Sequence, residues 1–223
     1  MEETSRLWAQ ALPFWQQLTE EEQTQLVQSC REQTVPRGDV THRPRQGCRG
    51  LQLVCEGQLR VYILSEEGRQ VTLYRVYAGQ VCVMSSSCLL DSLVFDVFVE
   101  AVEDTRLLTL PSAALAPVLQ RRPEAELYLY KTATHRFSEV MWRVQQILFL
   151  AADRRVAIFL WEEFQRTGPV LRLTQEEIAR YIGSAREVVS KVLKYFVQEG
   201  MVTLERGQIA LVDTEKLRRL AQM

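Results

Sequence analysis

The periodicity of the apolar residues changes at Pro111, and this change constrains the fold more than any other feature of the sequence. Before this point, short segments rich in Val, Leu, Ile and Tyr are separated by glycines and acidic turn residues, which is typical of strands. These segments are 51–56, 58–64, 71–77, 94–102 and 105–110. Several short strands at close spacing predict a small antiparallel barrel or jelly roll.

Beyond this point the apolar residues recur at helical spacing. The pattern predicts a short helix over 112–120 and a much longer one over about 124–150. Another short helix is expected near the N-terminus over 20–30, where Thr19 and Glu22 form a capping box. Strands followed by helices indicate an α+β fold.

The long helix carries a stripe of apolar residues at alternating steps of three and four. Its members are Tyr130, Ala133, Phe137, Val140, Val144 and Ile147. A repeat of 3.5 residues is typical of a coiled-coil seam and predicts a homodimer through this helix. The stripe could instead pack on the chain's own barrel, as could the flanking Leu127, Met141 and Leu148. We favour the dimer, because a helix this long exceeds what one small barrel can cover.

The C-terminal part of the chain contains two helix-start signals about ten residues apart. Thr174 with Glu177 predicts one capping box, and Ser184 with Glu187 predicts a second. Gly183, which lies between them, suits a tight turn. This spacing is typical of a helix-turn-helix.

The second helix of this motif is predicted to have one buried and one exposed face. The apolar residues of the buried face are Val189, Val192, Leu193 and Phe196. In such a motif the N-terminal residues of the second helix enter the major groove of DNA. The candidate DNA-binding residues are Thr174, Ser184, Arg186, Glu187, Ser190, Lys191 and Lys194. The alternative is a charged face that only contacts solvent.

The chemistry of these side chains suits a DNA groove. Arg186 can donate to guanine or phosphate, Glu187 can accept from the amino group of cytosine, and Ser190 can bond either a base or the backbone. Lys191 and Lys194 are expected to meet phosphates. The two roles of Glu187 compete, because one carboxylate cannot fully cap its helix and bind a base at once.

The elements around the motif complete a small domain. They are a helix over about 153–166, a strand over 170–173, a hairpin of 201–205 and 208–212 joined by Arg206-Gly207, and a closing helix after Asp213.

At these residues the sequence resembles the CRP/FNR family of transcription regulators. The segment Ser184-Ala185-Arg186-Glu187-Val188-Val189-Ser190-Lys191 is similar to the start of the family's recognition helix, with Lys191 where the family usually has Arg. The resemblance implies an N-terminal jelly roll like a cyclic-nucleotide-binding domain (1–123), a dimerisation helix (124–151) and a winged helix-turn-helix (152–223). It also implies a palindromic operator with half-sites one turn apart, and RNA polymerase as a partner.

The sensor region departs from the cyclic-nucleotide-binding members of the family. In those proteins a Gly-Glu pair, followed by Arg-Ser or Arg-Thr, holds the ribose and the cyclic phosphate. Here Gly79 is present without the Glu or the Arg, so the expected effector is a small molecule other than cyclic AMP. The candidate effector-binding residues are Gly79, Gln80, Cys82, Ser85, Ser86, Ser87 and Cys88.

The cysteines and histidines support a second hypothesis. The five cysteines show no CxxC spacing, so no metal site is predicted, and the sequence indicates no particular cofactor. Cys82 and Cys88 could form a disulfide, bind a metal or be small buried side chains, and haem could bind through His42, Cys48 or His135. The alternative function is therefore a thiol-, metal- or haem-based redox or gas sensor regulator.

Composition excludes several other classes of protein. With 47% apolar and 25% charged residues the chain is an ordinary globular protein. It has no apolar run long enough for a membrane helix and no N-terminal secretion signal, so we expect a cytoplasmic protein. The absence of HExxH, GxxxxGK[ST] and GxGxxG argues against an enzyme. The net charge of -1 does not by itself indicate a nucleic-acid partner. Residues 172–223 are weakly basic, with 9 Lys and Arg against 7 Asp and Glu.

Overall fold

A computed structural model of the chain describes residues 2–44, 50–83 and 97–222. The chain forms two compact units, Met1–Leu64 with Leu73–Val140, and Ser65–Thr72 with Met141–Met223. Within the described residues, no helix is long and apolar enough to cross a membrane.

The first unit is an antiparallel jelly roll with helices around it. Its elements are α1 (Glu2–Ala11), a 3-10 turn (Trp15–Gln17), α2 (Glu20–Ser29), β1 (Arg31–Val35), β2 (Val40–His42), β3 (Leu51–Glu56), β4 (Gln58–Leu64), β5 (Gln70–Tyr77), β6 (Val81–Cys82), β7 (Phe98–Ala101), β8 (Thr105–Leu110), α3 (Ser112–Arg121) and the first turns of α4 (Pro123–Phe149). The strands form two four-stranded sheets, ordered β1-β8-β3-β6 and β2-β7-β4-β5.

Apolar residues on the two faces of the first sheet build two cores. Val54 and Leu107 belong to a core that also holds Val61 and Val99 of the second sheet. Leu53 and Leu108, which pair across β3 and β8, belong instead to a core with residues of the surrounding helices. That second core includes Trp8, Leu115, Leu129 and Ala133. One side of α4 is therefore covered by its own chain.

The second unit is a winged helix-turn-helix. After the last turns of α4 it contains α5 (Ala152–Thr167), β9 (Val170–Leu171), α6 (Gln175–Ile182), α7 (Arg186–Gln198), β10 (Val202–Glu205), β11 (Gln208–Leu211) and α8 (Thr214–Gln222). The three strands form a small antiparallel sheet in the order β10-β11-β9. Leu160, Ile178, Leu193 and Leu217 are fully buried in its core.

The predicted α+β fold is confirmed, and most of the predicted elements lie where the sequence placed them. β3, β4 and β8 have the predicted ends, and α4 begins at Pro123, one residue before the predicted start. Three strands and one helix were not predicted: β1, β2, β6 and α1. In β1 the first four residues are exposed, so the strand lacks a buried apolar alternation.

Candidate nucleic-acid interface

The helix-turn-helix begins with the predicted capping box. The Thr174 hydroxyl accepts from the backbone N–H of Glu177 at 3.1 Å, and the Glu177 carboxylate accepts from the backbone N–H of Thr174 at 2.7 Å. α6 ends at Ile182 and is capped by Gly183, which has left-handed backbone angles (φ 63°, ψ 45°). Glycine adopts this conformation without the strain that a Cβ would bring, so the chain can reverse directly into α7.

The two helices pack through the predicted apolar faces. Ile178, Ala179 and Ile182 of α6 are buried. On α7, Val189, Leu193 and Phe196 are fully buried, and Val192 is partly buried against the same core. This packing determines which side of α7 faces solvent.

The second predicted capping box, formed by Ser184 and Glu187, is wrong. α7 begins at Arg186 with Ala185 as its N-cap, and no side chain caps it. The backbone N–H of Ser184 instead bonds the Ala179 carbonyl at 3.0 Å, which closes the end of α6. Ser184 therefore belongs to the turn, and Glu187 does not cap its own helix.

The other face of α7 presents the predicted polar residues to solvent. Arg186, Glu187, Lys191 and Lys194 are exposed, and Ser190 is half-buried. Among the residues that the structure describes, these four charged side chains form no ion pair. They are therefore available to an external partner, and Thr174 is exposed at the start of the preceding helix.

A groove beside α7 adds residues that the sequence did not identify as candidates. It has a volume of about 460 Å³, and Thr174, Gln175, Arg186 and Arg206 are among the residues that line it. Arg206 lies in the turn of the β10–β11 hairpin, which is the wing. From the sequence, Arg206-Gly207 was identified only as a turn. The positive charge of Arg206 at the tip of a hairpin was the signal that could have predicted a phosphate contact there.

The predicted effector residues lie only partly within the described chain. Ser85, Ser86, Ser87 and Cys88 lie outside the described residues. Cys82 is fully buried. Gly79 has a positive φ of 82°, and the side-chain oxygen of Gln80 accepts from the Arg136 guanidinium at 3.1 Å.

A polar cluster lies beside these residues, between the barrel and α4. The Arg136 guanidinium lies 4.9 Å from the centre of the Tyr74 ring and 2.9 Å from the carboxylate of Glu139. Burial raises the pKa of Tyr74 well above its usual value. Its hydroxyl has no hydrogen-bond partner among the described residues. A buried donor of this kind suits a bound polar molecule.

The long helix divides the predicted dimer seam between two faces. Ala133 is buried in its own chain's core, and Val140 packs against the barrel interior. These two assignments to the dimer seam are therefore wrong. Tyr130 and Phe137 are exposed, whereas Val144 and Ile147 are half-buried.

The flanking residues, for which packing on the barrel was the alternative, are exposed. The exposed apolar residues of α4 include Leu127 (52%), Phe137 (51%), Met141 (42%) and Leu148 (68%). With Tyr130, Thr134 and Val144 they follow one another at steps of three and four. This stripe shares Tyr130, Phe137 and Val144 with the predicted one and differs from it by one residue at the alternate positions.

The described cysteines and histidines are dispersed. No group of three His, Cys, Asp or Glu side chains suited to a metal occurs within 2–44, 50–83 and 97–222. Cys30 and Cys55 are free, and burial raises the pKa of both thiols. His42 is buried in β2, His135 is exposed on α4, and Cys48 lies outside the described residues.

The comparisons with known proteins match both units. Residues 32–122 match the family model of the cyclic nucleotide-binding domain, and residues 154–220 match that of the Crp-like helix-turn-helix domain. A CRP/FNR-family regulator from Eubacterium rectale is 38% identical, and its crystal structure superposes with a TM-score of 0.90, covering 96% of this chain and 99% of that one.

Two relatives match this chain in sequence over most of their length. The chain is 29% identical to the cyclic AMP receptor protein of Thermus thermophilus over 77% of this chain and 79% of that protein. It is 26% identical to the CRP-like cAMP-activated global transcriptional regulator of Mycobacterium tuberculosis, over 84% of this chain and 86% of that protein.

Proposed function

Because this chain belongs to the CRP/FNR family of transcription regulators, we propose that it is a homodimer that reads a palindromic operator with the exposed face of α7. The chain is a DNA-binding regulator with a cyclic-nucleotide-binding domain, and its relatives are not enzymes. The proposal concerns how it reads DNA, how it dimerises and what controls it in the cytoplasm.

The observation that carries the proposal is that the side chain of Glu187 is exposed and, within the described residues, makes no contact that would occupy it. Its carboxylate is exposed, caps no helix and forms no ion pair among the described residues. It can therefore accept from the amino group of a cytosine. Arg186 and Ser190 would reach neighbouring base edges or phosphates, and Lys191 and Lys194 would contact phosphates.

Further phosphate contacts come from the groove beside α7. Arg206 at the wing tip and Thr174 at the start of α6 both line it. A guanidinium and a hydroxyl on either side of the recognition helix can contact phosphates of the two DNA strands. Such contacts fix the register of the helix on DNA without reading the base sequence.

Dimerisation would use the outward face of α4. On this face, side chains that are exposed or half-buried in the single chain would form the dimer seam. They are Leu127, Tyr130, Thr134, Phe137, Met141, Val144 and Leu148. A second copy of the chain is the expected occupant, because a 3.5-residue apolar repeat on one face is complementary to itself across a two-fold axis.

The effector would bind at the polar cluster of Tyr74, Gln80 and Arg136. The unpartnered Tyr74 hydroxyl and the Arg136 guanidinium can both donate to an acceptor group. We propose an effector other than cyclic AMP, since the stretch after Gly79 has neither the Glu nor the Arg of the cyclic-nucleotide-binding members. The effector would act by binding one DNA-affinity state of the dimer more tightly than the other. In activating or repressing transcription, the bound dimer would also contact RNA polymerase.

The alternative of a redox or gas sensor gains no support from the described residues. Cys82 is fully buried, and burial raises the pKa of the Cys30 and Cys55 thiols, which lowers their reactivity.

The DNA-reading proposal is tested with a duplex selected from a random-sequence pool by the unmodified protein. Glu187→Ala should relax the base preference at one position of each half-site, at a cost of about 1–3 kcal/mol for the preferred base. Lys194→Ala should weaken binding to all sequences alike and reduce the salt dependence by about one charge. Arg31→Ala, which removes an exposed cation from β1, is the control and should change neither. Selection of no sequence at all would overturn the proposal.

A further inference from the structure

α7 carries an apolar side chain on its solvent-facing side, close to its start. Val188 is the third residue of the helix and is 37% exposed. Its neighbour Val189 is completely buried and, with Leu193 and Phe196, anchors the helix in the core of the domain. This anchoring does not require the Val188 side chain. Valine does not favour the helix at an exposed position either, since its helix propensity is lower than that of alanine or lysine.

The position of Val188 is one at which a recognition helix meets base edges. In a helix-turn-helix, the N-terminal residues of the second helix contact the bases. Val188 directly follows Glu187, the proposed acceptor for a cytosine amino group. Lys191, which is exposed three residues further on, is its neighbour on the helix surface. Val188 therefore lies between a group proposed to read a base and a group proposed to contact a phosphate.

Val188 lies on the opposite edge of this face from two other candidates. Residues two apart in an α-helix are turned by about 200° from each other, so Arg186 and Ser190 both point across the helix from Val188. Arg186 lines the groove that also contains Arg206 of the wing. The exposed face of α7 therefore has a polar edge beside the wing and an apolar residue on its other edge.

The Val188 side chain is held in a defined place. The backbone N–H groups of Val188 and Val189 both donate to the Ala185 carbonyl, at 3.1 and 3.3 Å. These bonds close the first turn of α7, although no side chain caps it. A β-branched residue also has one strongly preferred rotamer in a helix. The two methyl groups of Val188 are therefore fixed in position, and a contact with DNA would cost little side-chain entropy.

An isopropyl group has one complementary partner among the base edges of the major groove. Thymine is the only one of the four bases that presents a methyl group there. Since the Val188 side chain has neither a donor nor an acceptor, it would displace water from the polar edge of another base without replacing the lost hydrogen bonds. It also cannot bond a phosphate oxygen. Its chemistry therefore favours thymine and disfavours the other bases.

We propose that Val188 reads a thymine through its C5-methyl group, in a base pair next to the one that Glu187 reads. The inference rests on the proposed function, because it requires α7 to enter the major groove of DNA. It adds a second base to the predicted half-site. Two neighbouring side chains of α7 would then read two adjacent base pairs, one through a hydrogen-bond acceptor and one through an apolar contact.

The first test changes the DNA and leaves the protein unmodified. Each thymine of the duplex selected from the random-sequence pool is replaced in turn by deoxyuridine, which lacks only the methyl group. Replacement of one thymine in a half-site should weaken binding by about three- to fivefold, as expected for loss of one buried methyl group. This thymine should adjoin the base pair at which Glu187→Ala relaxes the base preference. A half-site with no thymine there, or unchanged affinity after its replacement, would overturn the inference.

The second test assigns the methyl contact to Val188. Val188→Ala should bind the thymine duplex about three- to fivefold more weakly than the unmodified protein does. The variant should no longer distinguish deoxyuridine from thymine at that position, because the two changes remove the same contact. If it binds both duplexes more weakly but distinguishes them as strongly as before, Val188 lies against the DNA backbone and the inference fails.

Val197→Ala is the matched control for the second test. It removes another exposed valine (41%) near the opposite end of the same helix and should keep the full preference for thymine over deoxyuridine. Thermal melting of both variants should be close to that of the unmodified protein, since both side chains are exposed. Equal loss of the preference in both variants would contradict the assignment to Val188.

These measurements separate failure of the inference from failure of the proposed function. Selection of no sequence from the pool would overturn both. If a sequence is selected and Glu187→Ala relaxes one of its positions, α7 reads DNA as proposed. The inference about Val188 then fails alone if the adjoining thymine methyl does not contribute to the affinity, or if its contribution is the same in Val188→Ala.

Discussion

Single residues in this protein decide where helices begin and how they are held. The carboxylate of Glu22 accepts from the backbone N–H of Thr19 at 3.0 Å and from the Arg122 guanidinium at 2.9 Å. It also lies 3.9 Å from a guanidinium nitrogen of Arg121. One acidic side chain thereby caps α2 and ties it to the junction of α3 and α4. Only the capping part of this role was visible in the sequence, since the arginines are about 100 residues away.

Glu22 makes the stability of the first unit depend on pH. The hydrogen bond from Thr19, with a further contribution from Arg122, lowers the pKa of Glu22 below its ordinary value of 4.5. A carboxyl with a depressed pKa in the folded state stabilises the fold above its unfolded pKa, and this stabilisation is lost as the pH falls through the folded value. Glu22→Gln should therefore lower the free energy of unfolding by about 1 kcal/mol at pH 7, where part of the ion-pair energy is screened by solvent.

The difference between Glu22→Gln and the unmodified protein should shrink as the pH falls below 4.5. The measurement is urea unfolding from pH 7 to pH 3, followed by tryptophan fluorescence, because Trp8 and Trp15 are buried in this unit. Glu20→Gln, at an exposed position in the same turn, is the control and should show little effect. A difference that stays constant with pH would contradict this assignment.

Among the secondary-structure elements, those predicted well are the ones whose own residues determine them. β3 and β4 meet at Gly57, where a positive φ of 83° and a Cβ position only 2.6 Å from the Asp104 carbonyl oxygen require glycine. β1 was missed because its polar residues become a strand only by pairing with β8, as Thr34 does with Arg106. A pairing between segments at least 70 residues apart leaves no local pattern in the sequence.

The long helix α4 shows the same limit, here for a difference of one residue. The apolar repeat of α4 was predictable, but two registers fit it. The barrel covers Ala133 and Val140, which leaves Thr134 and Met141 on the outward face. The choice between registers depends on where the helix contacts the barrel, and the spacing of its own residues does not contain that information.

The outward register predicts the effect of a substitution on α4. Phe137→Ala should weaken the dimer by about ten- to a hundredfold, because a symmetric interface loses two rings for each substitution. Since the Phe137 side chain is 51% exposed in the single chain, the fold itself should be little affected. Sedimentation equilibrium measures the dissociation constant. His135→Ala, exposed on a different side of the same helix, should leave it unchanged, and equal weakening by both variants would contradict the seam.

At the scale of the whole molecule, the proposed effector cluster and the proposed DNA-reading face belong to different compact units with separate cores. Two described elements have residues in both units, α4 (Pro123–Phe149) and β5 (Gln70–Tyr77). Each also carries a residue of the effector cluster, Arg136 on α4 and Tyr74 on β5. In the proposed mechanism, these two elements are therefore the covalent routes by which an effector would alter DNA affinity.

The proposed dimer makes a geometric prediction about its operator. A two-fold dimer presents two copies of α7 to half-sites one helical turn apart, about 10 base pairs from centre to centre. Inserting 5 base pairs between the half-sites turns one of them to the opposite side of the duplex, so that only one copy of α7 can bind. The affinity should then fall at least about tenfold, because one set of base contacts is lost.

A duplex of unchanged length with altered central base pairs serves as the control. It should bind within about threefold of the original, as measured by fluorescence anisotropy at fixed salt. Equal affinity for the 5-base-pair insertion would mean that each chain binds its half-site independently, and the dimeric reading of a palindrome would then have to be abandoned.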